Sequence, residues 1–149
     1  SATLRTTLMV GFAYEEEKDV DLLIAFIKDV KFDHMGAFTF SLEENTLACQ
    51  YPNTIDEMTK QKRYERLMEA QMEIAYALKK KKIGTIVKNA FIIDYDEESY
   101  LYVARSEEFA PDEIDGCIYV AAKEELSIGQ RIDVKILDAD AYTLTGEQV

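Results

Sequence analysis

The hydrophobic pattern of this 149-residue chain changes at Gly84, and this change limits what the chain can fold into. Before this glycine there are long stretches in which apolar residues recur every three or four positions, which is typical of helices. After it, five short runs rich in β-branched and aromatic residues are separated by turn residues. The runs are 85–95, 100–105, 117–121, 131–137 and 142–147. Five short strands in about 65 residues predict a small antiparallel barrel of the OB-like size class.

The segment before residue 54 predicts a βαβ unit. Apolar runs at 6–12 and 32–40 are typical of buried strands, and between them the apolar positions of 16–30 follow helical spacing. A strand, a helix and a second strand with short connections imply that the two strands are parallel. The predicted fold class is therefore α/β followed by all-β.

A long helix is predicted between these two parts. Thr54 and Glu57 form a capping-box pattern at its start, and the run Lys79–Lys82 followed by Gly84 marks its end. We therefore predict three segments, 1–53, a linker helix over 54–82, and a second domain over 83–149. Four consecutive lysines can indicate nucleic-acid binding, but a cationic helix end beside an acidic domain explains them at least as well.

The two halves also differ in charge. The whole chain has 17 basic and 29 acidic residues and a net charge of −12. Residues 1–82 account for −2 of this charge, and residues 83–149 account for −10. A segment of that sign repels a phosphate backbone at long range and attracts a basic partner. A contribution to solubility explains this uneven distribution of acidic residues less well than attraction to a basic partner does.

Composition and motifs argue against several classes of protein. Cys49 and Cys117 are too few for a disulfide framework, no apolar run reaches the roughly 20 residues that span a bilayer, and the first residues lack a signal-peptide pattern. We therefore expect a soluble cytoplasmic protein. The acids at 15–17, 43–44 and 94–98 are better explained as solvated turns than as metal sites. We predict no catalytic residue and no metal ligand.

Six segments, which together run nearly from end to end, carry a family resemblance. They are 5–12, 31–36, 61–71, 102–106, 110–116 and 132–141. In them the chain resembles the radical-SAM methylthiotransferases, first in late strands of the barrel, then in the connecting helix, and then in the TRAM domain. The stretch 110–116, Ala-Pro-Asp-Glu-Ile-Asp-Gly, is the most specific. It is similar to the RimO-type branch, which modifies an aspartate of small-subunit ribosomal protein twelve.

The resemblance implies a partial radical-SAM (β/α) barrel over 1–53, a linker helix, and a five-stranded TRAM barrel over 83–149. The family uses S-adenosylmethionine and two four-iron four-sulfur clusters, one of them held by a Cys-x3-Cys-x2-Cys motif. This chain has no such motif, and two cysteines cannot supply the three or four thiolates of a cluster. We therefore expect a C-terminal piece of such an enzyme, without a cofactor of its own and inactive alone.

By the same resemblance, Glu15 matches a loop glutamate of the family and is the candidate contact to S-adenosylmethionine. The loops around it depart from the family pattern. Ala13 and Tyr14 stand where the family has Pro-Gly, and 41–48 reads Ser-Leu-Glu-Glu-Asn-Thr-Leu-Ala where the family has Ser-Pro-Glu-Glu-Gly-Thr-Pro-Ala. These changes remove Pro and Gly, and their backbone preferences, from two turns.

The partner that the resemblance implies is a strongly basic ribosomal protein, which agrees with the charge of the second half. We expect acidic side chains to dock it, together with Arg105, which alternatively pairs inside the domain. The candidate partner-binding residues are Asp94, Asp96, Glu97, Glu98, Arg105, Glu107, Glu108, Asp112, Glu113 and Asp115. A tRNA-binding module is the alternative, supported by the lysine run and the aromatic residues of the strands. Unpaired strand edges also predict self-association.

Overall fold

The computed structural model describes residues 2–52, 55–109 and 115–149. The chain forms two compact units, residues 1–74 and residues 75–149, which are described separately. The elements are β1 (Arg5–Val10), α1 (Glu17–Val30), β2 (His34–Thr39), a 3₁₀ helix (Leu47–Gln50), α2 (Glu57–Lys80), β3 (Ile86–Asp96), β4 (Leu101–Arg105), β5 (Ile118–Ala121), β6 (Arg131–Ala139) and β7 (Leu144–Gln148). No helix of the described residues is long and apolar enough to cross a membrane.

The first unit is built on the predicted βαβ motif. β1 and β2 pair in parallel and in register along their whole length, and α1 connects them. A reciprocal capping box between Glu16 and Asp19 starts α1, and acidic side chains in its first turn suit the positive end of the helix dipole. The parallel strand pair and the helix of the sequence prediction are confirmed.

α2 begins at Glu57, and Asp56 caps its first turn. Thr54, the predicted capping residue, lies outside the described residues. Asp56 accepts a hydrogen bond from the backbone N–H of Thr59 at 2.9 Å and another from the Thr59 hydroxyl at 2.8 Å. These bonds satisfy a helix N–H that has no intrahelical partner and hold the pKa of the Asp56 carboxyl below its usual value.

The core of the first unit lies on one face of the two-stranded sheet. Leu67 and Ala70 of α2 pack with Val10 of β1 and Ile27 of α1, so both helices cover this face. The residues of β1 and β2 that point the other way, Met9 among them, remain exposed. The second face of the sheet is therefore not covered by either helix.

The second unit is a closed five-stranded barrel, as predicted. Its strands pair in the order β3-β4-β5-β7-β6, and β6 closes the ring against β3. Inward-pointing residues on alternate positions fill the interior. Ile92, Ile118 and Ile136 are fully buried among them.

One strand pairing corrects the prediction of a purely antiparallel barrel. β5 and β7 run parallel, whereas the other four neighbouring pairs are antiparallel. The reason is geometric, because strand direction can alternate all the way round a closed ring only if the number of strands is even. With five strands, one neighbouring pair must run in the same direction, so the barrel is mixed.

Candidate functional site

Glu15, the candidate cofactor contact, lies in the loop that follows β1, and its carboxylate is held by other parts of the first unit. The backbone N–H of Gly11 donates to both carboxylate oxygens at 2.9 Å. Arg63 Nη1 of α2 donates to Glu15 Oε1 at 3.0 Å and to the Glu15 backbone carbonyl at 3.0 Å. The two side chains are only 13% and 8% exposed. The carboxylate therefore closes its own loop and ties that loop to α2.

Lys60 makes the matching contact at the end of β2. Its side chain is 1% exposed, and its ammonium donates to the Phe40 carbonyl at 3.1 Å and to Glu57 Oε1 at 2.9 Å. Its aliphatic stem lies against Gly11, where an added Cβ would come within 2.6 Å of Lys60 Cγ. One face of α2 therefore holds the backbone at the carboxyl ends of both parallel strands.

The sequence analysis missed Lys60 and Arg63, although a signal for them was present. The positions of Lys60, Arg63, Leu67 and Ala70 are separated by three, four and three residues, so all four side chains lie on one face of α2. Two cations on the apolar face of a helix must be paired, since a buried charge without a partner is costly. That spacing could have indicated two buried cations with partners elsewhere in the unit.

Tyr14 and Asn45 stand where the family pattern has glycine, and both adopt the left-handed backbone conformation with φ of 65°. Asparagine tolerates this conformation, whereas a tyrosine there carries strain of about 1–2 kcal/mol. The exposed Tyr14 ring packs edge-on against Tyr51, with ring centroids 6.4 Å apart. The two departures therefore keep the turn geometry for which glycine is usually chosen.

Iron–sulfur clusters do not fit the donor groups of this chain. Cys49 is exposed in the first unit, Cys117 lies in the second, and a cluster of this type needs three or four thiolates. The described residues contain no group of three or more histidine, cysteine or carboxylate side chains that could hold a metal. For S-adenosylmethionine, both oxygens of the one candidate side chain, Glu15, already accept hydrogen bonds. No chemical step is therefore assigned to these residues.

The candidate partner-binding residues of the barrel fall into two groups at opposite ends of the β3–β4 hairpin. Asp96 pairs with Leu101 at the turn, whereas Phe91 pairs with Arg105 at the other end, about 13 Å away at roughly 3.3 Å per residue. The first group is Asp94, Asp96, Glu97 and Glu98, and the second is Arg105, Glu107, Glu108 and Asp115. The structure thus separates residues that the sequence analysis treated as one set. Asp112 and Glu113 lie outside the described residues.

The turn and the last residues of β3, numbered 94–100 and called the hairpin tip below, carry four carboxylates and two tyrosines in seven residues. Tyr100 is 78% exposed, and the Tyr95 ring lies 4.9 Å from that of Tyr102. The Ser99 hydroxyl and the Glu98 N–H donate to Asp96, which lowers the pKa of this carboxyl and shows that it shapes the turn. The remaining three carboxylates are exposed and form no ion pair within the described residues.

The second group is largely engaged within the domain. Arg105 and Asp115 are buried, and Glu108 forms an ion pair with Lys82. Burial places Arg105 and Asp115 out of reach of a partner in this conformation. Glu107 alone of this group is fully on the surface.

The lysine run at the end of α2 is also partly used inside the second unit. Lys79 is buried, and Lys82 pairs with Glu108 as described above. Burial raises the pKa of Asp140, but hydrogen bonds donated by Thr143 and Tyr142, together with the charge of Lys79, bring it below its usual value. About half of the positive charge of the run therefore serves the fold.

Comparison with known proteins finds similarity over both parts of the chain. Residues 83–149 match the family model of the TRAM domain. The chain is 44% identical over 146 residues to the ribosomal protein uS12 methylthiotransferase RimO of Caldicellulosiruptor saccharolyticus, covering 98% of this chain and 32% of the relative. The RimO protein of Crocosphaera subtropica is 42% identical, over 100% of this chain and 33% of its own length. The RimO protein of Petrotoga mobilis is 40% identical, over 99% of this chain and 34% of its own length. The chain thus spans about a third of the curated relatives that it matches.

Proposed function

We propose that the chain works as the C-terminal part of a longer enzyme that modifies ribosomal protein uS12. It matches about a third of the length of the RimO methylthiotransferases, and residues 83–149 match the TRAM domain. Within that enzyme, the hairpin tip docks the basic protein substrate. The first unit contributes the last two strands of the barrel in which S-adenosylmethionine is bound. The iron–sulfur clusters belong to the part of the enzyme that precedes this chain.

The observation that carries the docking proposal is the composition and exposure of the hairpin tip. Asp94, Glu97 and Glu98 offer carboxylates that no cation of the described residues occupies. Carboxylates accept strong, often bidentate hydrogen bonds from arginine and strong bonds from lysine. The exposed ring of Tyr100 beside them can stack against a guanidinium. This pairing of acid and aromatic groups suits a segment rich in lysine and arginine.

The same observations disfavour RNA as the partner of the barrel. Aromatic residues bind bases best beside a positive groove that follows the phosphates, whereas residues 83–149 carry a net charge of −10. At the end of α2, Lys79 is buried and Lys82 is paired with Glu108, which leaves Lys80 and Lys81 as the exposed cations of the lysine run. We therefore do not expect the barrel to bind tRNA, and the experiment must distinguish tRNA binding from uS12 binding.

The test neutralises the hairpin tip without disturbing its fold. In the triple variant Asp94→Asn, Glu97→Gln, Glu98→Gln, Asp96 is left in place because it holds the turn. We expect the affinity for purified uS12 to fall by about tenfold to a hundredfold, since each exposed charge pair contributes about 0.5–1 kcal/mol. Isothermal titration calorimetry at fixed salt measures the change.

A control with the same net charge separates local docking from general attraction. Glu69, Glu73 and Asp138 are exposed and are not part of the hairpin tip, so Glu69→Gln, Glu73→Gln, Asp138→Asn removes three charges from other parts of the chain. We expect its affinity for uS12 to stay within about threefold of the wild type, as for charges outside an interface. Equal losses in the two variants would show that net charge, and not the hairpin tip, attracts the substrate.

A further inference from the structure

Two buried cations on one face of α2, Lys60 and Arg63, donate hydrogen bonds to the backbone that follows the two parallel strands. Arg63 reaches Glu15 and its carbonyl in the loop after β1, and Lys60 reaches the Phe40 carbonyl just after β2. Leucine or methionine would fill these positions of a helix face without the cost of removing charge from water. Their placement therefore calls for an explanation other than packing.

The contacts fix a single backbone conformation at this edge. Gly11 has a φ of 85°, its N–H donates to the Glu15 carboxylate, and the Lys60 stem covers its Cα. The Glu15 N–H donates to the Phe12 carbonyl at 3.1 Å, and the Phe40 N–H donates to the Val10 carbonyl at 2.8 Å. The ends of β1 and β2 are thus bonded to each other, and the loop after β1 and the end of β2 are each bonded to α2.

In α/β folds with parallel strands, ligands bind at the carboxyl ends of the strands, where the loops supply the contacts. We infer that Arg63, Glu15 and Lys60 are positioning residues, which hold the backbone of this edge in the conformation that S-adenosylmethionine requires. Glu15 then acts on the ligand through the Gly11 loop and does not contact it by its own carboxylate. This inference rests on the proposed function for its ligand, but its structural half stands on the contacts alone.

Glu15 and Glu17 form a matched pair for the test, because both accept hydrogen bonds from Arg63. Arg63 Nε donates to Glu17 Oε1 at 2.7 Å, but Glu17 is 59% exposed and does not bond Gly11. In the 149-residue chain, Glu15→Gln is expected to speed amide hydrogen exchange at Gly11 by about tenfold or more, since a charge-assisted acceptor is lost. Glu17→Gln is expected to leave that exchange within about twofold. Arg63→Lys, which keeps the charge, is expected to restore most of the protection that Arg63→Gln removes.

The second measurement uses the longer methylthiotransferase and S-adenosylmethionine as the probe. A positioning role predicts that Glu15→Gln raises KM for S-adenosylmethionine by about tenfold with kcat within about twofold, while Glu17→Gln changes neither. Unchanged exchange at Gly11 in Glu15→Gln overturns the inference whatever the kinetics. Faster exchange at Gly11 with an unchanged KM would show that the contacts hold the loop but that the loop does not bind S-adenosylmethionine. The proposed binding site would then be wrong, and the structural role of the three residues would stand.

Discussion

Gly116→Ala is expected to lower the free energy of unfolding of the barrel by about 3 kcal/mol or more, because the new side chain meets backbone and not a movable side chain. Gly116 precedes β5 and has a φ of 85°. A Cβ placed there would lie 1.8 Å from the backbone oxygen of Tyr142 and 2.8 Å from its carbonyl carbon. Tyr142 lies in the turn that leads into β7, so relief of the clash requires moving the backbone of this turn and of β7. Urea unfolding followed by the amide NMR signals of residues 86–148 measures the loss.

Gly129→Ala is the control for this prediction. Gly129 also has a φ of 85°, but an added Cβ would meet nothing within 4 Å. Its substitution therefore tests backbone strain alone, and we expect a loss of about 1 kcal/mol. If the two variants were equally destabilised, the steric contact with Tyr142 would not be the cause.

Arg63→Met is expected to lower the stability of the first unit by about 3–5 kcal/mol. Methionine fits the helix face, but it leaves the Glu15 carboxylate, 13% exposed, without its cation. The burial of Arg63 alone would lower the pKa of its guanidinium, yet the hydrogen bonds with Glu17 and Glu15 raise it above its usual value. The folded state therefore gains from the charged pair. Hydrogen exchange of the buried amides of β1 and β2 as a function of urea measures the effect.

Arg66 provides the comparison for Arg63. It lies one turn further along α2 and pairs with Glu17 and Asp21, but its side chain is 43% exposed. Arg66→Met is expected to cost less than about 1 kcal/mol, as is usual for solvent-exposed ion pairs. A similar loss in both variants would mean that the pair with Glu15 gains nothing from its burial.

The elements of the fold could be predicted from the sequence because their hydrophobic periods differ. Helical spacing at 16–30, short β-rich runs after Gly84 and the −10 charge of residues 83–149 are local properties of the chain. They led to the βαβ unit, the long helix and the five strands that the structure confirms. The family resemblance led to the TRAM domain, which the match over 83–149 confirms.

The parts that escaped prediction depend on which strands and faces meet. The register of β3 with β4 separates the acids of the hairpin tip from Glu107 and Glu108, although the two groups are close in sequence. Arg105 of β4 is buried, which the acidic residues around it in the sequence do not indicate. The spacing of Lys60 and Arg63 places them on the apolar face of α2, but it does not show that they bind the backbone after β2 and the loop after β1.

Docking of a basic protein by the acidic barrel is tested most directly by measuring the affinity of the 149-residue chain for purified uS12 and for tRNA between about 50 and 200 mM salt. We expect uS12 to bind more tightly than tRNA at every salt concentration, and its affinity to fall by about tenfold across the range as the charges are screened. Tighter binding of tRNA, with the steep salt dependence of phosphate contacts, would contradict the proposal and indicate an RNA-binding barrel.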